Sequence, residues 1–174
     1  MSHLFLAGYR GTGKSSIAAL LAQRWSLPAV DLDAVVQELA GRSIAEIFAD
    51  AGEAEFRRLE SQALGEVAAR HSPQIVALGG GAVLREENRR VIRSSGRCVR
   101  LTASVETIAA RIAGDGVTAA QRPPLTRLGQ IEEIRQLLEA RREAYEAAAE
   151  WTVDTEGKSL AEVAEEIGRW WESS

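Results

Sequence analysis

Cysteine is nearly absent from this chain. Cys98 is the only one in 174 residues, so no intramolecular disulfide can form, which suits a reducing cytosol. Histidine is almost as scarce: His3 and His71 fall outside every cluster of candidate ligands and read as structural or surface residues. No apolar run approaches the length of a membrane span. No charged leader with a cleavage site precedes the first apolar stretch. Internal repeats and low-complexity tracts are also missing. Basic excess is lacking too, because 21 Lys and Arg face 25 Asp and Glu for a net charge of −4. That balance gives no electrostatic support to a nucleic-acid role. These absences lead us to expect a cytoplasmic protein with no membrane or nucleic-acid partner. No long exposed apolar stripe demands a dimer, so a monomer is expected. The length suggests one domain over residues 1–174 with a real core.

What is present begins at residue 8. Gly8-Tyr9-Arg10-Gly11-Thr12-Gly13-Lys14-Ser15 fits the phosphate-loop pattern G-x-x-x-x-G-K-[ST]. A short apolar run, His3 to Ala7, precedes it as a strand, and helix formers follow it to Trp25. Glycines let the main chain wind so that successive N–H groups face an anion, and the start of a helix adds further unpaired donors. Lys14 places a point charge where β- and γ-phosphates would lie, and the Ser15 hydroxyl suits Mg²⁺.

Apolar strand-like runs then alternate with helical patterns, which predicts an α/β fold with a parallel sheet. Ala29-Val30-Asp31 reads as a very short second strand, and Asp31-Leu32-Asp33 stands at its end. Ligands of open parallel sheets bind beyond the carboxyl ends of the strands. If strand geometry persists through them, both carboxylates project to the same side. One could hold Mg²⁺ and the other could orient a hydroxyl nucleophile. Asp33 could instead simply cap the next helix, but the neighbouring loop favours catalysis.

Ser43-Ile-Ala-Glu46 is a capping box. Gly52 breaks the helix that it opens, and residues 53–70 form a longer one. Arg57, Arg58 and Glu60 on that helix read, from pattern alone, as a solvated charged face. Gln74 to Leu78 is a third strand, followed at once by Gly79-Gly80-Gly81. Three glycines there suit either close approach of main chain to a ligand or a tight turn. No acid ends this strand, which leaves Asp31 as the better metal candidate. A charged helix over residues 85–94 reads as solvated, and Cys98 to Leu101 as strand four, with Cys98 in the core. Thr102 or Ser104 caps a helix ending near Arg111. Residues 113–129 break the periodicity with Gly and adjacent Pro123-Pro124, and carry Arg122 and Arg127. A long loop of this kind is read as a mobile closing lid. A helix over 130–149, a strand over 151–154 and a second capping box, Ser159 to Glu162, complete the pattern.

Taken together, these motifs resemble those of the bacterial shikimate kinases, within the nucleoside-monophosphate-kinase-like group of phosphate-loop folds. Beyond the phosphate loop, the resemblance rests on Asp31-x-Asp33 and Gly52-Glu53-x-x-Phe56-Arg57-Arg58-x-Glu60. It continues through Gly79-Gly80-Gly81, Arg122-Pro123, Arg141-x-x-x-Tyr145 and Val153-Asp154-Thr155. It covers essentially the whole chain. It implies a three-layer fold, with a five-stranded parallel sheet in the order 2-3-1-4-5 flanked by helices. It also implies ATP- and Mg²⁺-dependent phosphorylation of the shikimate 3-hydroxyl, on the route to chorismate. The substrate-binding part would lie at about 33–60 and the lid at about 113–129.

The implied nucleotide contacts are Gly11, Thr12, Gly13, Lys14, Ser15, Ser16, Arg111 and Arg122. Arg111 would stack on adenine, with residues 154–159 along its edge. Ser15 and Asp31 would hold the metal. Arg57 and Arg141 would clamp the shikimate carboxylate, because forked guanidinium donors match it, and Glu60 would orient Arg57. Asp33 and Gly79, Gly80 and Gly81 would face the ring, and Lys14, Asp33 and Arg122 would carry the chemistry. The chain departs from the family pattern at Gln37, where many members carry Glu, and at Pro124, where a Leu usually follows the first Pro. Its adenine loop is also one residue shorter than in some members of that family. The rival readings are another small-molecule kinase of the same fold, such as a gluconate kinase, and a nucleotide-binding module without turnover. The second would be expected to show a damaged site, whereas Lys14, Ser15, Asp31, Asp33, Arg57, Arg122 and Arg141 are all present.

Overall fold

The computed structural model describes residues 2–114 and 127–173. Five strands form one parallel sheet: β1 His3–Ala7, β2 Ala29–Asp31, β3 Ile75–Ala77, β4 Gly96–Thr102 and β5 Trp151–Asp154. Their spatial order is β2-β3-β1-β4-β5, as expected, with β1 hydrogen-bonded to β3 on one side and β4 on the other. The helices are α1 Lys14–Trp25, α2 Leu32–Ala40, α3 Ile44–Ala68, α4 Glu86–Ser95, α5 Val105–Gly114, α6 Arg127–Ala148 and α7 Leu160–Glu172.

Strand alternation assigns the two faces. Phe5 and Ala7 of β1 pack with residues of α2, α3, α4 and α6. Leu4 and Leu6 point the other way, onto Ile17 and Leu21 of α1 and Ile167 of α7. A strand buried on both faces is a continuous apolar run, and all five residues of β1 are buried. A third cluster joins α5 to α6 through Tyr9, Ile108, Ile112 and Ile134. The two capping boxes form as expected: Ser43 with Glu46 opens α3, and Ser159 with Glu162 opens α7. Each replacement of such a cap by Ala would cost about 1 kcal/mol.

Several sequence expectations are corrected. Strand geometry does not persist to Asp33. The helix begins at Leu32, its N-cap is Asp31, and an Asp31 carboxylate oxygen accepts the Asp33 backbone N–H at 3.0 Å. Asp31 is therefore the cap, and Asp33 lies in the first helical turn. Gly52 does interrupt the helix as expected: at φ 76° and ψ −178° its backbone is non-helical and divides α3 into two helical stretches. The charged face of α3 divides: Arg58 is exposed and pairs with Glu55, whereas Glu60 is buried and Arg57 nearly so. In α4, Arg89 and Arg93 are not simply solvated. They donate to the carbonyls of Val83, Leu84 and Ala147, fixing the short 3₁₀ turn Ala82–Leu84 and the end of α6. His3 is buried.

Cys98 lies in the core, with its thiol pushed up to about 12 by burial. Ser104, rather than Thr102, caps α5, because its hydroxyl accepts the Thr107 N–H at 3.1 Å. The segment read as a lid falls mostly on residues 115–126, outside the described residues, and Arg122 with it. Its two ends are helical: 113 and 114 close α5, and 127–129 open α6. Gln37 has a structural task, since its side-chain oxygen accepts the Ile44 N–H at 3.3 Å and ties α2 to the start of α3.

Candidate active site

The phosphate loop leaves β1 and enters α1 at the carboxyl edge of the sheet. Gly8, Gly11 and Gly13 all have positive φ, at 147°, 80° and 88°. A side chain on Gly8 would also come within 2.6 Å of the Leu101 carbonyl. The loop is pinned by Thr12, whose hydroxyl donates to the Tyr9 carbonyl at 2.7 Å. Gly13 gives α1 no side-chain cap and the first turn carries no acid, so its N–H donors are left for an anion. Lys14 folds back, with Nζ donating to the carbonyls of Gly8 at 2.8 Å and Tyr9 at 2.9 Å. Burial pulls its pKa down to about 8, against the opposing pull of Asp33 and Asp31.

The Ser15 hydroxyl donates to an Asp31 carboxylate oxygen at 2.7 Å. Both residues are exposed, and Ser16 beside them is exposed as well. Hydroxyl and carboxylate oxygens suit a hard cation that keeps several of its waters. Among the described residues no group of three or more His, Cys, Asp or Glu gathers as a metal cage. Arg111 crosses from α5 to the far side of the loop. It donates to Thr155 Oγ1 at 3.0 Å, to the Thr155 carbonyl at 3.3 Å and to the Gly11 carbonyl at 3.4 Å. Thr155, expected only along the adenine edge, thus also fixes the arginine expected at the adenine.

On the other side of Tyr9 lies a cavity of about 220 Å³. Its walls include Asp33, Arg57, Glu60, Gly79, Gly80, Gly81 and Arg141. Every acceptor-side residue expected from the sequence is in this wall, although the residues come from α2, α3, the turn after β3, and α6. Two of the glycines are required by close approach. A Cβ on Gly79 would lie 2.7 Å from Asp33 Oδ1 and 2.8 Å from Glu60 Oε1, and one on Gly81 would run into the Arg57 guanidinium.

Arg57 Nη1 donates to Glu60 at 2.7 Å, and Nη2 pairs with Glu53 at 3.3 Å. Burial lowers the Arg57 pKa, but Glu60 and Glu53 outweigh it, so the guanidinium stays charged. Arg141 donates to the Gly80 carbonyl at 3.3 Å and sits 5.9 Å from the Tyr9 ring. Tyr145 hydroxyl donates to the same carbonyl at 2.6 Å. Its appearance four residues after Arg141 marked it as part of a motif, but its partner could not be read from spacing.

Asp33 connects the two halves. Its Oδ1 is buried with no hydrogen-bond partner. Burial first, then Asp31, raises its pKa, while Lys14 from the loop side and Arg57 from the cavity side oppose the rise. A carboxylate with an unused oxygen, between a phosphate cradle and a guanidinium pocket, can accept a proton from a hydroxyl held there. Asp31 and Asp33 thus stand beside Lys14, and Asp33 shares its cavity with Arg57 and Arg141.

The family model for shikimate kinase matches residues 10–172. The chain belongs to the shikimate kinase family. Among curated relatives, the shikimate kinase of Rhodopirellula baltica is 48% identical over 165 residues, covering 95% of this chain and 88% of the relative. Among solved structures, the shikimate kinase from Acinetobacter baumannii in complex with shikimate superposes with a TM-score of 0.89. It is 28% identical and covers 99% of this chain and 94% of that one. A gluconokinase from Sinorhizobium meliloti has a TM-score of 0.60 at 20% identity, covering 99% and 94%. That likeness concerns the fold alone.

Proposed function

We propose that this chain transfers the γ-phosphoryl group of ATP to the 3-hydroxyl of shikimate, giving shikimate 3-phosphate and ADP on the route to chorismate. The observation that carries this reading is the buried, unpartnered Asp33 Oδ1 between Lys14 and Arg57. Main-chain N–H groups of Gly11, Thr12 and Gly13, with Ser16 beside them, cradle the phosphates. Arg111 and the loop after β5 take the adenine. Lys14 neutralises charge on the phosphoryl group in flight, a task shared in this reading with Arg122, which lies outside the described residues. Mg²⁺, held by the Ser15 hydroxyl and by Asp31, supplies further charge neutralisation on the phosphates.

On the acceptor side, Arg57 and Arg141 clamp the ring carboxylate, and Gly79, Gly80 and Gly81 let the main chain approach the ring. The shikimate oxygen forms its bond to the γ-phosphorus as the bond to the ADP oxygen breaks. Its proton passes to Asp33, which burial has made easier to protonate than an ordinary aspartate. We further read residues 1–174 as one catalytic domain with its acceptor part at about 33–60 and its lid at about 113–129. It acts in the cytoplasm as a monomer, with neither nucleic acid nor membrane as partner. No helix among the described residues is long and apolar enough to cross a membrane.

ADP release measured with ATP and Mg²⁺ tests the reading directly. Shikimate should support turnover, and gluconate should not. Turnover with gluconate and none with shikimate would overturn the assignment of the acceptor. Tight ATP binding with no acceptor phosphorylated would overturn the assignment as a kinase.

A further inference from the structure

Behind the phosphate loop lies a second cavity, of about 430 Å³, between the end of β4, the start of α5 and α6. It shares Gly8, Tyr9 and Thr12 with the phosphate loop, but none of Lys14, Ser15, Asp33, Arg57, Arg111 and Arg141 lines it, so it opens away from the charged groups of the two sites described above. Its size falls in the range of small-molecule sites. Leu101, Val105, Ile108 and Leu138 give it apolar walls, and the Tyr145 ring gives it an aromatic one.

Four charged residues also line it, Arg100, Arg135, Glu139 and Arg142, and Arg100 differs from the rest. Arg100 stands on β4, an inner strand of the sheet, on the face that carries Cys98. Its side chain is only 15% exposed, and its ion pair with Glu146 is long, at 3.7 Å. It lies 5.3 Å from the Tyr145 ring, and no hydrogen bond to it is found among the described residues. The other two arginines at the rim are already paired: Arg135 with Glu132 at 2.7 Å, and Arg142 with Glu139 at 3.2 Å. A guanidinium with five donors, nearly withdrawn from water and so weakly paired, is costly unless something else takes its donors.

We propose that this cavity is a second ligand site, taking a small monoanion with an apolar ring or chain, its carboxylate on Arg100 and its body against Leu101, Ile108 and Leu138. One weakly paired guanidinium matches a single carboxylate, and Glu139 at the rim disfavours a more highly charged ligand. Gly8, Tyr9 and Thr12 form the wall nearest the phosphate loop. Tyr145 spans to the acceptor side through its bond to the Gly80 carbonyl. The occupant therefore touches the back of the machinery without entering it.

The test is a calorimetric titration of the full chain with 3-phenylpropionate and, separately, with its uncharged amide. Arg57 and Arg141 offer a competing carboxylate site. Each titration is therefore run with saturating shikimate and repeated in an Arg57→Ala background, so that the result does not depend on the identity of the acceptor. The carboxylate should bind in both settings, with the amide about tenfold weaker or more. Arg100→Met should reduce the carboxylate to the level of the amide, and Leu138→Trp, which fills the cavity from α6, should abolish both. Circular dichroism checks that each variant is folded. If Arg100→Met proves unfolded, the Leu138→Trp titration and the carboxylate–amide contrast decide. Absence of binding, equal binding of acid and amide, indifference to a folded Arg100→Met or Leu138→Trp chain, or displacement by shikimate would each overturn the proposal.

Discussion

The nucleotide half and the acceptor half of the active site are built by opposite means. The phosphate loop is eight consecutive residues whose donors are mostly main-chain N–H groups, arranged by three glycines at positive φ. The acceptor pocket collects its side chains from α2, α3, the turn after β3, and α6. One half depends on what is absent at Cβ. The other depends on charges held out of water, above all the Arg57–Glu60 pair and the unpartnered oxygen of Asp33. The main-chain donors of the loop do not titrate, although Lys14 among them does, and the loop is intolerant of added atoms. A site made of buried charges responds to protonation and to the loss of any partner.

The largest expected effect tests whether Asp33 belongs to the acceptor half. Asp33→Asn should lower kcat by about 10²–10⁴-fold and leave the affinity for ATP nearly unchanged, as read by steady-state kinetics and nucleotide titration. An equal loss in both would place Asp33 with the nucleotide. Next, Lys14→Met should reduce kcat/KM for ATP by about 10²–10³-fold, with shikimate affinity in the absence of nucleotide retained. Arg57→Ala should do the converse, weakening shikimate by about 2–5 kcal/mol while ATP still binds.

Gly81→Ala is the sharper version of that comparison. The added methyl displaces the Arg57 guanidinium without removing it, so KM for shikimate should rise about tenfold or more in a chain that still folds. An unchanged KM would mean that the clamp does not need its observed position.

Two smaller effects follow from protonation. Because the Asp33 pKa is raised, kcat should fall on the acid side along a limb lying above the ordinary aspartate value of 3.8. A limb at or below that value would contradict the buried setting. Lys14 gives the stability counterpart. Its ammonium loses its proton near pH 8 in the folded chain and near 10.5 when unfolded. Below about pH 8 both states carry the charge, and the folded state bears the cost of burying it. Between 8 and 10.5 only the unfolded chain keeps the proton, so stability rises with pH across that window. Lys14→Met should therefore raise Tm by about 2–4 °C at neutral pH even as it lowers turnover. A lower Tm would mean that the bonds of Lys14 to the loop carbonyls outweigh its burial.

The two halves also differ in how far they could be read before folding. The phosphate loop is legible because its chemistry follows chain order: glycine, lysine and serine occupy adjacent positions in space because they are adjacent in sequence. The sheet order came with the family resemblance, and Arg57, Arg141 and Asp33 came with it too. Pattern alone placed Arg57 and Glu60 on a solvated face, because i,i+3 spacing does not say which side of a helix another element will cover. Asp33, read at the junction of strand and helix, lies in the first helical turn, since capping by Asp31 starts α2 at Leu32. The bond from Tyr145 to Gly80 and the weakly paired Arg100 had no signal in the sequence at all.

By itself, then, the amino-acid order determined the strand–loop–helix cradle, the capped helix starts and the alternation that buries both faces of β1. These are local matters, governed by backbone sterics and by periods of two and 3.6 residues. Tertiary structure decided which charges lose their water, which carbonyls receive distant side chains, and where Asp33 stands relative to Lys14 and Arg57. Desolvation and charge–charge coupling depend on separations through space, and those exist only once the helices have closed over the sheet.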